Sequence, residues 1–309
     1  MEWRKIMILL QQMLILFLIM FIGYMMAKKG ILDQKANKAI SWLIVNVTSP
    51  ALILEGSFSN SGMDPSYVLY ISGISFCFYA VIVLSAELVV PLFHFPAEDR
   101  GAFKVMMVFS NNGFMGIPLL RSLYGPEILL PAAIFVIPCN LLMYTYAIYR
   151  ISGRQQSPGQ VLKGCMNMGV LASFLSVTIT LSGISLPSII TDCIGMLSPI
   201  TAPLSMIVIG SGFVGLNMLD EIRDRKLILF VFVRQIVMPV LLLTILRIFI
   251  KDIGLLRMIL IICATPVASM PAMLAQQYGG RVGLISHTIA FTTLISIATI
   301  PLVYAITGL

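Results

Sequence analysis

Apolar residues run for about 18 to 25 positions at a time between short polar breaks, with no apolar/polar alternation inside the runs. Runs of that length cross a hydrocarbon layer of about 30 Å as helices, whereas barrel strands would need the missing alternation. The pattern predicts an all-α membrane protein of about ten transmembrane helices. They fall at about 6–27, 38–56, 67–92, 101–123, 128–149, 161–182, 194–216, 226–249, 255–278 and 284–305. The first run follows Arg4 and Lys5, as in a secretion signal. It is long enough to span, however, and lacks a small-residue cleavage site, so it is read as a retained first helix.

The longest polar break carries Arg154, Gln155, Gln156, Ser157, Pro158 and Gly159 and separates five runs from five. This predicts a first repeat over 1–150, a cytoplasmic linker over 151–160 and a second repeat over 161–309, forming one integral membrane unit. Sliding the second half back by a constant 153 positions brings Gly183 onto Gly30, Ile184 onto Ile31, Pro203 onto Pro50, Arg257 onto Lys104 and Pro271 onto Pro118. Copies with an odd number of spans enter the membrane from opposite sides. The expectation is therefore an inverted five-plus-five repeat, a common build among secondary transporters.

Composition adds to this picture without changing it. Hydrophobic residues make up 59% of 309 positions, charged residues 11%, and the mean hydropathy is +0.99. The net charge of +7 would suggest nucleic acid in a soluble chain. Here the cations sit in the short breaks, thirteen Lys and Arg on one face and six on the other, with Arg234 left inside a span. The richer face is predicted to be cytoplasmic, which puts the 151–160 linker inside and both termini outside a multi-pass inner-membrane protein; Arg4 and Lys5 count against it. Nucleic acid is not expected as a partner; the lipid bilayer is, and a homodimer is left open. Cys77, Cys139, Cys165, Cys193 and Cys263 show neither Cys-x-x-Cys nor Cys/His spacing, so no metal and no disulfide framework is expected. No cofactor is called for.

The chemistry concentrates in the fourth and ninth runs. In the fourth, Ser110-Asn111-Asn112-Gly113-Phe114-Met115-Gly116-Ile117-Pro118 puts polar, glycine and proline residues at mid-membrane. In the ninth, Ala264-Thr265-Pro266 leads to Ser269 and Pro271. Proline removes a backbone donor and crowds the carbonyl four residues earlier, and glycine lowers the cost of unwinding. Two broken helices, with Gly116, Pro118, Pro266 and Pro271 at the breaks, are therefore expected to cross near the midplane. The N-termini of their second halves would attract an anion, with Asn111, Asn112, Gly113, Thr265 and Ser269 supplying donors or capping backbone.

The stretch from Asn111 to Leu119 resembles the signature of the auxin efflux carrier family, which includes plant auxin exporters and bacterial permeases described for malate or malonate. The likeness extends through Gly23-Tyr24 to Leu32, Asn46-Val47-Thr48-Ser49-Pro50-Ala51-Leu52, and Ala264-Thr265-Pro266 to Pro271. The resemblance implies a fold similar to that of bile-acid symporters and sodium/proton antiporters, with elevator-like movement of a transport domain against a scaffold. It also implies a substrate pocket drawing on Asn46, Ser49, Asn112, Asn140 and Tyr144. Read without it, Asn46, Asn140 and Tyr144 are polar groups in apolar runs, where an interhelical hydrogen bond worth about 0.6 kcal/mol is the plain alternative. Glu87 and Arg234 are candidate coupling residues, and Arg234 lies near enough to one end of its run to serve instead as a snorkelling anchor.

The resulting expectation is a secondary carrier of a small organic anion, a mono- or dicarboxylate. A membrane receptor or channel-like protein sensing a small ligand is the alternative. No P-loop, His-Glu-x-x-His or Gly-x-Ser-x-Gly motif is present, so neither ATP drive nor an intramembrane enzyme is supported. The charge count predicts that a reporter active only in the cytoplasm is silent when fused after Leu309 and active when inserted at Gln155. The reverse pattern would invert the assigned orientation.

Overall fold

The computed structural model describes residues 2–59, 63–153, 157–215 and 224–308. Arg154, Gln155, Gln156, Arg223 and Leu309 lie outside the described residues, as do the side chains of Arg4, Lys5 and Cys165. In chain order the α-helices are α1 (Glu2–Lys28), α2 (Gln34–Leu43), α3 (Ser49–Ser59), α4 (Pro65–Val89), α5 (Ala97–Val108) and α6 (Ile117–Tyr124). Next come α7 (Leu129–Leu142), α8 (Ile148–Ser152), α9 (Pro158–Cys165), α10 (Met168–Ser182), α11 (Ser188–Leu197) and α12 (Thr201–Ser211). The last five are α13 (Arg225–Phe232), α14 (Met238–Phe249), α15 (Ile253–Ala264), α16 (Met270–Tyr278) and α17 (Val282–Thr307).

Several consecutive helices join end to end through wide or tight turns, so among the described residues seven stretches are long and apolar enough to cross a membrane. They are Ile6–Lys28, Gln34–Phe58, Pro65–Phe93, Pro126–Ser152, Ser188–Ser211, Arg225–Phe249 and Val282–Thr307. The remaining three apolar runs are interrupted. α9 stops at Cys165, and Asn167 accepts from the Val170 N–H and starts a new helix, α10. The other two, α5 with α6 and α15 with α16, stop and restart.

The chain divides into two compact units. One comprises 1–73, 112–137 and 166–215, the other 74–111, 138–165 and 216–309. Neither unit is a contiguous half of the chain.

In the first unit, α1 and α12 touch through backbone. Gly23 faces the main chain of Ile207 and Gly210 faces the main chain of Met20, and a Cβ on either glycine would overlap a carbonyl. Close approach through small residues is how membrane helices gain van der Waals contact when water provides no drive between them. In the same unit, Ile53 of α3, Ala133 of α7 and Ala172 of α10 form a small core. The Ser176 hydroxyl ties α10 to the Ile53 carbonyl at 3.2 Å. At one end of α3, Glu55 takes a two-pronged ion pair from Arg121, both contacts at 2.7 Å, and a further hydrogen bond from Ser198.

In the second unit, Phe95 stacks on Phe103 and both meet the edge of Phe230. Gly101 lets α5 lie against the Arg150 carbonyl at the end of α8. Outward-facing Leu84, Leu88, Leu241, Ile245, Ile248 and Phe249 leave an apolar surface suited to lipid.

The α1–α12 contact predicts that Gly210→Val lowers the stability of the purified protein by about 1 to 3 kcal/mol, the usual cost of forcing volume into packed backbone. Gly73→Ala, where an added Cβ meets nothing, should leave the thermal unfolding curve unmoved or slightly raised. Equal melting temperatures for the two variants would overturn this account of the contact.

Candidate functional site

α5 ends where Phe109 turns extended (φ −99°, ψ 111°), and α15 ends where Thr265 does the same (φ −63°, ψ 150°). The cause at Thr265 is in the sequence: the following Pro266 disfavours helical backbone at the residue before it. The two freed segments run antiparallel, with Ser110 opposite Val267. The Asn111 N–H donates to the Pro266 carbonyl at 2.8 Å and the Ala268 N–H to the Phe109 carbonyl at 3.0 Å. From α17, the Thr292 hydroxyl oxygen accepts from the Val267 N–H at 3.2 Å. α16 then begins with Pro271 in its first turn, where a missing N–H costs nothing. All of these groups belong to the second unit.

Arg234 closes this junction. Its side chain is 2% exposed, so the snorkelling role open to it in the sequence does not apply. Nε donates to the Met106 carbonyl at 2.8 Å, Nη1 to the Thr265 carbonyl at 2.9 Å and Nη2 to the Ser110 hydroxyl at 2.9 Å. The Phe109 and Pro266 carbonyls each stand 3.4 Å from Nη2. Next to it, the Gln235 side-chain amide donates to the Thr292 carbonyl at 2.9 Å.

A shared local feature marks the candidate residues. Four wide, π-helical turns occur among the described residues: Ile44–Thr48, Asn112–Gly116, Met143–Ala147 and Val233–Val237. They carry Asn46, Asn112, Tyr144 and Arg234 respectively. Three of them end two residues before a proline, at Pro50, Pro118 and Pro239. The proline ring crowds the carbonyl four residues back, and widening the turn relieves the crowding. Polarity within apolar runs singles out Asn46, Asn112 and Tyr144, but it misses the wide turns and the place of Arg234. The proline spacing was the available signal.

The other candidates separate by unit. In the first unit, Asn46 spends its amide on the Trp42 carbonyl of its own helix at 2.9 Å. The Ser49 hydroxyl is shielded from solvent without a hydrogen-bond partner among the described residues. Asn112 is buried, Gly113 is exposed, and Gly116 and Pro118 are buried around the start of α6. In the second unit, Asn111 is buried, Asn140 and Tyr144 are half-buried, and the Tyr144 ring packs on Gly164. Thr265 donates its hydroxyl to the Ile262 carbonyl at 2.9 Å, and the Ser269 side chain makes no capping bond to α16. Glu87 is a hub: its carboxylate accepts from Lys104 at 2.6 Å, from the Tyr146 hydroxyl at 2.7 Å and from Arg150 at 2.7 Å. That arrangement ties α4, α5 and α8 together.

Against known families, residues 8–304 match the profile described as membrane transport protein. The chain belongs to this family, that of the auxin efflux carriers. It is similar to an uncharacterized transporter of Methanothermobacter thermautotrophicus, 26% identical over 305 residues that cover 94% of this chain and 96% of the relative. It also resembles an uncharacterized transporter of Methanocaldococcus jannaschii, 26% identical over 215 residues, 66% of this chain and 68% of that one. A multi-pass membrane transporter is thus the coarse identity, and the resemblance read from Asn111–Leu119 holds across nearly the whole chain.

For this transporter, Glu87→Gln is expected to lower thermal stability by about 1 to 3 kcal/mol, because two cations lose their shared acceptor. Adding Lys104→Gln should recover part of the loss. A double-mutant cycle with no coupling between positions 87 and 104 would show that the pair contributes nothing.

Proposed function

We propose that this transporter is a secondary carrier of a small organic anion, a mono- or dicarboxylate, working by elevator-like alternating access. The observation that carries the proposal is the paired interruption at Phe109–Asn111 and Thr265–Ser269. Non-helical backbone at membrane depth is tolerated only where it is buried in protein or lines a water-filled path, and secondary carriers build their sites there.

We infer an inverted repeat as part of the same reading, and two matched pairs of positions support it. Gly30 and Gly183, 153 positions apart, both take left-handed backbone at helix ends (φ 73° and 65°). Pro118 and Pro271, at the same offset, both sit in the first turn of a restarted helix. The division of the chain into two compact units, each built from three segments, supports a mechanism with two bodies.

Local electrostatics support the anionic class. In the first unit Asn112 is buried in the turn that leads into α6, and in the second Ser269 leads into α16. Each helix start carries roughly half a positive charge and favours a carboxylate in its neighbourhood. The further polar candidates are Asn46 and Ser49 in the first unit and Asn111, Asn140, Tyr144 and Thr265 in the second, though Asn46 and Thr265 would first have to release intrahelical bonds. Glu87 fits an ion-pair role better than a coupling role.

Asn112→Asp tests the proposal. It keeps the shape of the side chain but puts a negative charge beside the bound carboxylate, where a low effective dielectric strengthens repulsion. Losing an amide donor to a charged ligand would add about 1.5 to 3 kcal/mol. Carboxylate uptake into proteoliposomes should fall at least tenfold at neutral pH and recover partly at low pH, where a protonated Asp is neutral and donates. Full uptake by folded Asn112→Asp protein at pH 7 to 8 would place the anion elsewhere.

A further inference from the structure

Secondary carriers with discontinuous helices commonly use unwound carbonyls and the C-terminal ends of half-helices to hold a sodium ion or proton. In the second unit those groups already have a cation. α5 and α15 end at the crossing, and each C-terminus carries roughly half a negative charge, so together they present about one elementary charge. A single guanidinium meets them. Met106, Phe109, Thr265 and Pro266 offer main-chain oxygens and Ser110 a hydroxyl, all neutral ligands of the hard type that suits an alkali cation. Among the described residues no carboxylate lies within 4 Å of Arg234, so the helix ends are the charge partners that the structure provides.

We propose that Arg234 is a tethered cation occupying an alkali-metal site, so that the protein needs no sodium at this centre and acquires an alkali-cation site when the guanidinium is removed. The cation is permanent because a guanidinium stays protonated across the physiological range. It cannot dissociate, so its charge remains at the crossing throughout a cycle. A bound sodium ion would leave and return with substrate. The consequence for coupling rests on the carrier reading above, whereas the cation site itself does not, because binding is measurable without transport.

The experiment uses the purified full-length protein at matched ionic strength in sodium, potassium or N-methylglucamine chloride. Wild-type protein should unfold at the same temperature in all three. Arg234→Ala and Arg234→Gln should both melt lower in N-methylglucamine and regain a few degrees in sodium or potassium, since a ligand that binds only the folded state stabilises it by mass action. Arg234→Lys, which keeps a charge at the centre, should stay indifferent to the salt. A wild-type melting temperature raised by sodium overturns the proposal, as do folded Arg234→Ala and Arg234→Gln proteins blind to alkali cations. Failure to recover either neutral variant folded, even with sodium present throughout purification, overturns it too, because the vacated cage would then not be one that a cation can hold. Substrate uptake by wild-type vesicles, equal with and without sodium, is expected if the carrier reading also stands. Absent uptake with the predicted melting pattern would sink the carrier reading and leave the cation site intact.

Discussion

Main-chain polar groups in a membrane must find partners inside the protein, because lipid offers none. An unbroken helix meets that demand by itself. α5 and α15 do not, and the carbonyls left behind at Met106, Phe109, Thr265 and Pro266 need partners from elsewhere. The antiparallel bridge between Ser110 and Val267 satisfies part of the junction, and Arg234 covers the carbonyls that face away from it. Remove the arginine and the Met106 and Thr265 carbonyls lose the donor it gives them, each such loss costing about 1 to 3 kcal/mol. Thr292, whose hydroxyl oxygen accepts from the Val267 N–H, and Gln235, whose amide donates to the Thr292 carbonyl, meet the same demand beside it.

The wide turns follow from a smaller constraint of the same kind. Pro50, Pro118 and Pro239 each withhold a donor from a carbonyl four residues earlier, and the helix widens instead of breaking. Widening changes the rotation of the helix past that point and so re-aims the side chain carried on the turn. Arg234 shows the result clearly: it leaves the rim position that simple counting along a helix gives it and enters the packed interior.

Much of the architecture was legible from the order of residues. Long apolar runs marked an all-helical membrane protein, and Pro118, Pro266 and Pro271 lie beside the places where α-helices stop or start. The family signature at Asn111–Leu119 was equally plain, because it is a contiguous run of residue types. The role of Arg234 was not legible, because its partners are mainly backbone oxygens, which every residue has and no side-chain pattern records. The neutral junction gave no acidic residue to point at it. Asn46 and Thr265 were flagged for their polarity, yet both bond within their own helices, a local satisfaction that polarity in an apolar run does not distinguish from a binding role. Which segments pack together was not legible either: the compact units interleave three segments each, an outcome of long-range packing that a break in the middle of the chain does not encode.

The glycine contact between α1 and α12 sets a limit of another kind. Where two helices are separated by side chains, a lineage can trade one hydrophobic residue for another and let neighbours readjust. At Gly23 and Gly210 the spacing is set by main chain against main chain, so nothing there can readjust. The lipid-facing positions a few residues away, such as Leu14 and Leu18 on α1, are free to drift among apolar residues over generations. Two positions with no side chain at all are therefore expected to be among the slowest to change in this helix pair.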